Sequence, residues 1–369
     1  MKVVGMDVHV RNSFLCVADS DGAVLRRGRV GNTLGEIAQF LSMLEEKKEP
    51  VRVVLESTTN SRAIHRMLQE YGRQSGLEVD AQVLDARKLR IIAESVSKCD
   101  KQDAAVLCEL ARSQLKLPVC YMPDDEVFAL REHLRARSDL VRMRTMLKNR
   151  VHAVLHRRGI LNPLGDLFTK GGRQWLKELT LDEAGRSILD RYLAMIDQLQ
   201  GTLEQSTADL MRLSRSQRWC KPVALLRTMP GVGPITSLTI LAELGEIGRF
   251  KSRAAVSNYA GLVPVVRDSN QKHYSGGITR RGPTHLRGVL IEAAWMSKGR
   301  VPQYQAIFNR VSQRKGSHVA IVAVSRRMLE DAWTMLKKDE VFRLSSTTAT
   351  AVVEERIGES VVADPGVAG

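Results

Sequence analysis

The segment from residue 2 to about residue 86 contains short β-type runs and helical runs in an order that few folds accommodate. Three strands are expected in succession, KVVGMDVHV, SFLCVADS and AVLRRGRV, with short polar turns between them. A helix should follow, then the strand VRVVLES, a second helix and the strand EVDAQVLDA. Three successive strands followed by alternating helices and strands predict an α/β domain in which helices pack on a mixed sheet.

Four acidic residues stand at distinctive positions in this pattern. Asp7 interrupts the first strand, where an unpaired charge among apolar residues is unfavourable. Glu56 ends the strand VRVVLES at the rim of the expected sheet. Asp100 and Asp103 lie one helical turn apart in VSKCDKQDAAVLCEL, so their side chains should point the same way. They could cap the first turn of a helix, or join the other two acids in holding divalent cations.

The order of these acids along the chain resembles that of the ribonuclease H-like fold. In that fold the first strand lies beside the fourth, and the last helix packs across both, which would bring the four carboxylates together. Crowded carboxylates repel one another unless cations neutralise them. Two divalent cations at such a site would stabilise the attacking and leaving oxygens of phosphoryl transfer.

The charge of the chain points to a polyanionic partner. It contains 56 Lys and Arg against 41 Asp and Glu, a formal net charge of +15. Nucleic acid is the first candidate, because phosphate neutralisation supplies most sequence-independent affinity. An anionic membrane surface is the weaker alternative, because no Lys/Arg-rich helix with an aromatic apolar face is found. No apolar run reaches the length of a membrane span. Five scattered cysteines without a C-x-x-C pair support neither a disulfide framework nor a zinc site.

Two long helices are expected after Pro118 and Pro123, which mark a domain boundary. Apolar residues in the first helix recur at steps of three and four, and heptad positions recur in the second from Leu189 to Leu213. These seams predict an antiparallel coiled-coil arm over 124–215, a spacer or an oligomer contact. The stretch 131–158 carries nine Lys and Arg and two acids, so we expect a basic outer face.

A third, mainly helical region is expected over 220–340. PGVGP resembles the hairpin of a helix-hairpin-helix motif, in which Gly231 and Gly233 would let backbone N–H groups approach a phosphate. An ordinary helix connection is the alternative. The following loop, GLVPVVRDSNQKHYSGGITRRGPTHLRG, indicates phosphate binding, with a nucleophilic serine as an alternative. Its candidate serines are Ser269 and Ser275, and its cations are Arg267, Lys272, Arg280, Arg281 and Arg287. A disordered tail is expected over 344–369.

These segments together resemble the bacterial DEDD transposases of the insertion-sequence one-ten and one-one-one-one group, which includes pilin-gene invertases. The resemblance covers about residues 1–340. The matching segments are GMDVH, LEST, KCDKQDA, MPGVGPITSLTILAELGEIGRF and YAGLVPVVRDS with GGITRRGPTHLRGVLIEAAW. It implies a RuvC-like DEDD nuclease domain over 1–120, the coiled coil, and a transposase domain over 220–340.

The resemblance also implies a chemistry and a set of partners. The four acids would bind two Mg²⁺ ions, for which Mn²⁺ can substitute, and a C-terminal serine would attack DNA. The family serine lies five residues after the proline of GLxP, which is Ser269 here. Asn270 follows it, where glycine is usual. The implied partners are element ends and target DNA, a structured bridge RNA, and copies of the chain forming dimers that pair into tetramers. A cytoplasmic, nucleoid-associated protein is expected.

Two other functions fit part of the sequence. A metal-dependent Holliday-junction resolvase would hydrolyse DNA and would explain the acids, but it leaves the serine loop without a role. A non-catalytic nucleic-acid-binding protein would explain the charge but not Asp7 and Glu56 within an apolar sheet.

Overall fold

The computed structural model describes residues 1–46, 48–89, 100–113, 115–269 and 272–343, with backbone alone at 89, 266–269 and 272–275. The chain divides into two compact units, Met1–Pro123 and Asp124–Gly369. The predicted tail at 344–369 lies outside the described residues. Within the described part of the chain, no helix is both long and apolar enough to cross a lipid bilayer.

The first unit is built on a five-stranded mixed sheet, as the strand pattern predicts. Its strands are β1 (Lys2–Val8), β2 (Asn12–Ala18), β3 (Val24–Gly31), β4 (Val51–Glu56) and β5 (Val79–Leu84), in the order β3-β2-β1-β4-β5. The first three strands pair antiparallel, whereas β1 with β4 and β4 with β5 pair parallel. The strand β1 is therefore central and lies directly beside β4.

Helices cover both faces of this sheet because its central strands bury side chains alternately to each side. On one face, Val4 and Met6 share a core with helices α1 (Leu34–Leu41) and α2 (Ser61–Ser75). On the other face, Val3 and Val54 pack against α4 (Asp100–Arg112). A short helix, α3 (Ala86–Leu89), follows β5. The helix α4 thus crosses the face formed by β1, β2 and β4.

The second unit begins with an antiparallel pair of long helices. These are α5 (Asp125–His156) and α7 (Glu183–Leu213), with α6 (Lys170–Glu178) between them in the chain. Arg137 donates to Thr207 at 2.9 Å and Arg144 donates to Gln200 at 2.6 Å, so residue numbers rise on one helix as they fall on the other. Four of the apolar positions predicted for α7 are buried inside the chain, namely Leu189, Ile196, Leu203 and Leu210, and the other three are partly buried.

The rest of the second unit is mainly helical, as predicted. Its helices are α8 (Cys220–Arg227), α9 (Pro234–Leu244), α10 (Arg253–Tyr259), α11 (Thr284–Ser297), α12 (Pro302–Lys315) and α13 (Ser317–Lys338). The helix α13 packs against α8, α10, α11 and α12. The expected irregular loop after residue 261 instead contains an antiparallel hairpin, β6 (Pro264–Ser269) and β7 (Lys272–Ile278). Its β-branched and aromatic residues favour strands over an open loop.

Candidate functional site

Asp7 and Asp100 meet where β1 and α4 come together. His9 bridges them, with its Nε2 atom 3.2 Å from Asp7 Oδ2 and 3.3 Å from Asp100 Oδ1. One ligand atom from each of these three residues lies within 4.8 Å of the others. Arg29 of β3 donates from Nη2 to the other oxygen of Asp100 at 2.8 Å. Two acids far apart in sequence are therefore neighbours in space.

A glycine in β1 permits this close approach. A Cβ atom on Gly5 would lie 2.1 Å from the Ala104 carbonyl oxygen and 2.2 Å from the Cys108 backbone nitrogen. Both atoms belong to the backbone of α4, so no side chain could rotate away to make room. The hydrogen at Gly5 thus lets α4 rest directly on β1, and its first turn reaches the level of Asp7.

Glu56 occupies the corresponding position on the neighbouring strand. Met6 pairs with Leu55 in the parallel ladder of β1 and β4, so Asp7 and Glu56 are the next residues on each strand. Side chains alternate along a strand, and Val54 packs on the α4 face. Glu56 therefore lies on the same face as Asp7, at the carboxyl ends of two adjacent strands.

The environment of Asp7 shows that the acids interact. Burial raises the pKa of Asp7, His9 opposes this effect, and the charges of Asp103 and Asp100 raise the pKa further. Asp103 thus contributes to the same electrostatic site, although it is not within the 4.8 Å group. A cation among these carboxylates would relieve both the repulsion and the cost of ionising Asp7.

The oxygen-rich donor set fits a hard divalent cation. Carboxylate oxygens suit Mg²⁺ and Mn²⁺, and an imidazole nitrogen is accepted more readily by transition metals. Asp7 is largely enclosed, with 13% of its side chain exposed, whereas 49% of the His9 side chain is accessible. The site is therefore open to solvent on the His9 side, where a substrate phosphate could approach.

In the second unit, PGVGP forms the turn between α8 and α9. Gly231 has a φ of 82°, and a Cβ atom there would lie 2.7 Å from the Ala293 carbonyl oxygen of α11. Gly233 is the N-cap residue of α9, with Pro234 at the first helical position. Glycine at 231 therefore serves close packing of the turn on α11, and the space around Gly233 is open.

The two candidate serines lie on opposite strands of the β6–β7 hairpin. Ser269 is the last residue of β6 and pairs with Lys272, whereas Ser275 pairs with Val266. Arg267 pairs with Tyr274 on the same hairpin. The structure describes the backbone of these residues, which puts Ser269 at the tip of the hairpin beside Lys272. Asn270 lies outside the described residues.

The arginines that follow the hairpin divide into two kinds. Arg280 and Arg281 are exposed. Arg287 is buried, and its Nη1 atom donates to the carbonyl oxygens of Ala260 at 3.1 Å and Gly282 at 3.0 Å. The guanidinium of Arg287 therefore holds the loop before α11 from inside the fold. A direct contact with phosphate was expected from its charge, but the side chain is buried.

The predicted basic face of α5 is partly used inside the chain. Arg131 donates to the Ala242 carbonyl at 2.7 Å, and Arg135 lies 3.5 Å from the buried carboxylate of Glu243. Arg158 donates to Asp182 at 3.0 Å, near the far end of the helix pair. The spacing of charges along the sequence predicts a basic helix, but the packing of α7 and α9 offers acceptors to many of them.

Comparison with known proteins places both units in one family. A DEDD transposase model of the IS110 type matches residues 4–158, and a model described as transposase IS116/IS110/IS902 family matches residues 223–308. The transposase for insertion sequence element IS1111A of Coxiella burnetii is 25% identical over 93% of this chain and 92% of its own length. The transposase for IS1328 of Yersinia enterocolitica is 25% identical over 92% of this chain and 98% of its own.

The chain belongs to the IS116/IS110/IS902 transposase family. The predicted family is thus confirmed, and the protein is an enzyme of DNA cleavage and transfer. The first matched segment of this transposase contains all four predicted acids, and the second contains the α8–α9 turn and the serine hairpin.

His9 is the residue of this transposase that the sequence analysis missed. Its signal was the spacing D-x-H in GMDVH, because residues two apart on an extended chain point to the same side. A single histidine after a strand is too common to reveal a ligand. Contact with Asp100, 91 positions further along the chain, becomes visible once α4 is packed on β1.

Proposed function

We propose that this transposase cuts and rejoins DNA with divalent cations held by Asp7, Glu56, Asp100 and Asp103. The observation that carries the proposal is the convergence of Asp7 and Asp100 at the β1–α4 junction, with the pKa of Asp7 raised by burial. A RuvC-like, ribonuclease H-like assignment for the first unit agrees with β1 lying beside β4 and with α4 crossing both.

Mg²⁺ is the proposed cofactor, as two ions, with Mn²⁺ as a substitute. When bound, these ions would stabilise charge on the attacking and leaving oxygens of phosphoryl transfer. Asp7 and Asp100 would bind an ion directly, and His9 would supply or orient a further ligand of that ion. The parallel register puts Glu56 beside Asp7, which suits a role at the second ion.

Ser269 is the proposed nucleophile. Its Oγ would attack a DNA phosphorus and lose its proton to a base, while the bond to the leaving oxygen breaks and a DNA hydroxyl is released. Ser269 lies at the hairpin tip, where its backbone pairs with that of Lys272. This supports the role because a lysine of the same hairpin would supply a cation to stabilise developing phosphate charge. The carboxylates belong to the first unit and the serine to the second.

The remaining contacts with nucleic acid follow from charge and exposure. Arg280 and Arg281 are proposed to bind DNA phosphates, together with Arg267 and Lys272 of the hairpin and the open turn at Gly233. Arg287 would act indirectly, by holding the loop that carries these groups. A structured bridge RNA as guide is supported by the family resemblance and by the net charge of +15.

Self-association into dimers and tetramers is proposed through the α5–α7 pair, acting as an antiparallel coiled-coil arm. Its predicted heptad seam is buried within the chain, so another surface must make the contact. Met143, Met146 and Met195 are each about half exposed and line one groove on this pair. A cytoplasmic, nucleoid-associated location is proposed from the DNA substrate.

Trapping on nicked element-end DNA tests the assignment. Wild type with Mg²⁺ should give a covalent protein–DNA adduct, Asp7→Asn should give none, and Ser275→Ala should give as much as wild type. Peptide mapping should place the adduct on Ser269. An adduct that survives Ser269→Ala but disappears with Ser275→Ala would identify the other serine. Mg²⁺-dependent cleavage without any adduct from wild type would favour the hydrolytic resolvase.

A further inference from the structure

A second basic surface lies on α11, α12 and the start of α13, on residues that have no role assigned above. Residues 293–329 contain no Asp or Glu and seven Lys or Arg. Within the described residues, Arg326 and Arg327 are neutralised by Glu330 and Asp331. Four cations instead lie exposed: Arg300, Arg310, Arg314 and Lys315. Unlike Arg131, Arg135 and Arg142 of α5, these four form no salt bridge within the part of the chain that is described.

An aromatic pair lies on the same surface. Trp295 of α11 and Phe308 of α12 meet edge to face, with ring centroids 5.8 Å apart. The Lys298 ammonium lies 4.1 Å from the Phe308 centroid and 5.0 Å from the Trp295 centroid. Phe308 also packs against the C-terminal core, which anchors the pair. One cation is thus held over two rings whose relative orientation is set by two helices.

The exposure of Trp295 distinguishes it from the other tryptophans. Trp219 and Trp333 are buried, Trp175 is partly buried, and Trp295 is 41% exposed. A single exposed apolar side chain is ordinary on a protein surface. Here, however, the exposed indole lies beside a lysine in a segment without acids. Sites that bind single-stranded nucleic acid combine the same groups, because bases stack on the aromatic ring and cations contact the phosphate backbone.

We propose that Trp295, Phe308 and Lys298 bind an unpaired base of single-stranded DNA. The base would stack on the exposed face of Trp295, and Lys298 would contact the adjoining phosphate. The strand would continue along the cations of α12. Single-stranded DNA is the occupant because the enzyme cuts and transfers DNA, and because the bases of an intact duplex are stacked on each other and unavailable to the indole. The surface acts in substrate binding and does not depend on the metal or serine assignments.

Binding of fluorescein-labelled oligo-dT to the full chain in EDTA tests this surface without any contribution from catalysis. We expect Trp295→Ala to lower the affinity by about 5- to 150-fold, the range for loss of one stacked base. Met296→Ala is the matched control, since Met296 is the next residue on α11 and is 59% exposed. It should bind as wild type does. Replacing Arg310 and Arg314 by neutral residues should make the slope of log K against log salt concentration shallower by about 0.7 for each cation removed.

Trp295→Phe separates stacking from folding. It should keep most of the affinity while losing the quenching of tryptophan fluorescence by oligo-dT, because the other three tryptophans are not at the surface proposed here. Equal affinity of Trp295→Ala and wild type, or quenching that persists in Trp295→Phe, would overturn the proposal. Tighter binding of a matched duplex would also refute it, and tighter binding of oligo-U would reassign the surface to RNA.

Discussion

Replacing Gly5 with alanine should move the helix that carries two of the four acids. The added Cβ would lie 2.1 Å and 2.2 Å from two backbone atoms of α4, whereas carbon contacts below about 3.4 Å are already tight. The helix must therefore retreat from β1 by about 1 Å, since the obstructing atoms are backbone and a close-packed interior offers no free space. Overpacking of this kind costs about 1–3 kcal/mol.

The displacement should affect catalysis more than stability. A shift of about 1 Å at a catalytic group can cost about 100-fold in rate. Asp100 and Asp103 form the first turn of the displaced helix, so their distance from Asp7 would change directly. We expect Gly5→Ala to remain folded with a lowered melting temperature, to bind Mn²⁺ more weakly, and to lose most strand transfer.

Gly35→Ala is the matched control in the same unit. Gly35 lies in α1, and a Cβ atom there would have no neighbour within 4 Å. Alanine is a better helix former by about 1 kcal/mol, so this variant should be as stable as wild type or more stable, with unchanged activity. Thermal unfolding, Mn²⁺ titration and strand transfer would be measured on both variants. Wild-type Mn²⁺ affinity and activity in Gly5→Ala would refute the view that the glycine sets the spacing between the acids.

Three further predictions concern charge, metal preference and assembly. Because burial raises the pKa of Asp7, the metal-free protein loses stability as pH rises through that pKa. Asp7→Asn should therefore unfold at a higher temperature than wild type at neutral pH in EDTA. An unchanged melting temperature would contradict this. His9→Gln should weaken Mn²⁺ binding by about 10-fold and weaken Mg²⁺ binding less. It should also remove the ¹⁴N coupling from the electron paramagnetic resonance spectrum of bound Mn²⁺. Persistence of that coupling would exclude His9 as a ligand. Changing Met146 and Met195 together to glutamate should reduce self-association without changing the stability of the chain. Ile196→Asp should instead unfold the helix pair, because Ile196 is buried. A sedimentation profile of the methionine variant identical to that of wild type would exclude the methionine surface as the contact.

Much of the first unit was predictable because its signals are local. Alternating apolar residues specify strands with two buried faces, and the mixed sheet follows from the order of strands and helices along the chain. Asp7 was identifiable because a charge within a buried strand needs a compensating partner. Glu56 ends β4 as expected, since the apolar run stops there.

The second unit shows where such reasoning fails. A loop was expected where β6 and β7 pair. Glycine and serine residues in this segment obscure the short β-type runs on either side of them. The nine Lys and Arg residues of 131–158 were expected to form a basic surface, but acceptors on α7 and α9 bind several of them. Sequence spacing reports which side chains share a helix face and not what packs against that face.

By itself, the sequence determined which residues have the chemistry of a metal-dependent DNA-processing enzyme, since side-chain type and strand or helix period are local properties. The tertiary structure decided which side chains meet, among them His9 and Trp295, which the sequence did not single out. Asp7 meets His9 and Asp100, Arg287 meets the loop that it supports, and Trp295 meets Phe308 and Lys298. Such meetings depend on the closest approach between packed elements. At β1 and α4 that distance depends on the missing side chain of Gly5, whose effect appears only when the two backbones are in contact.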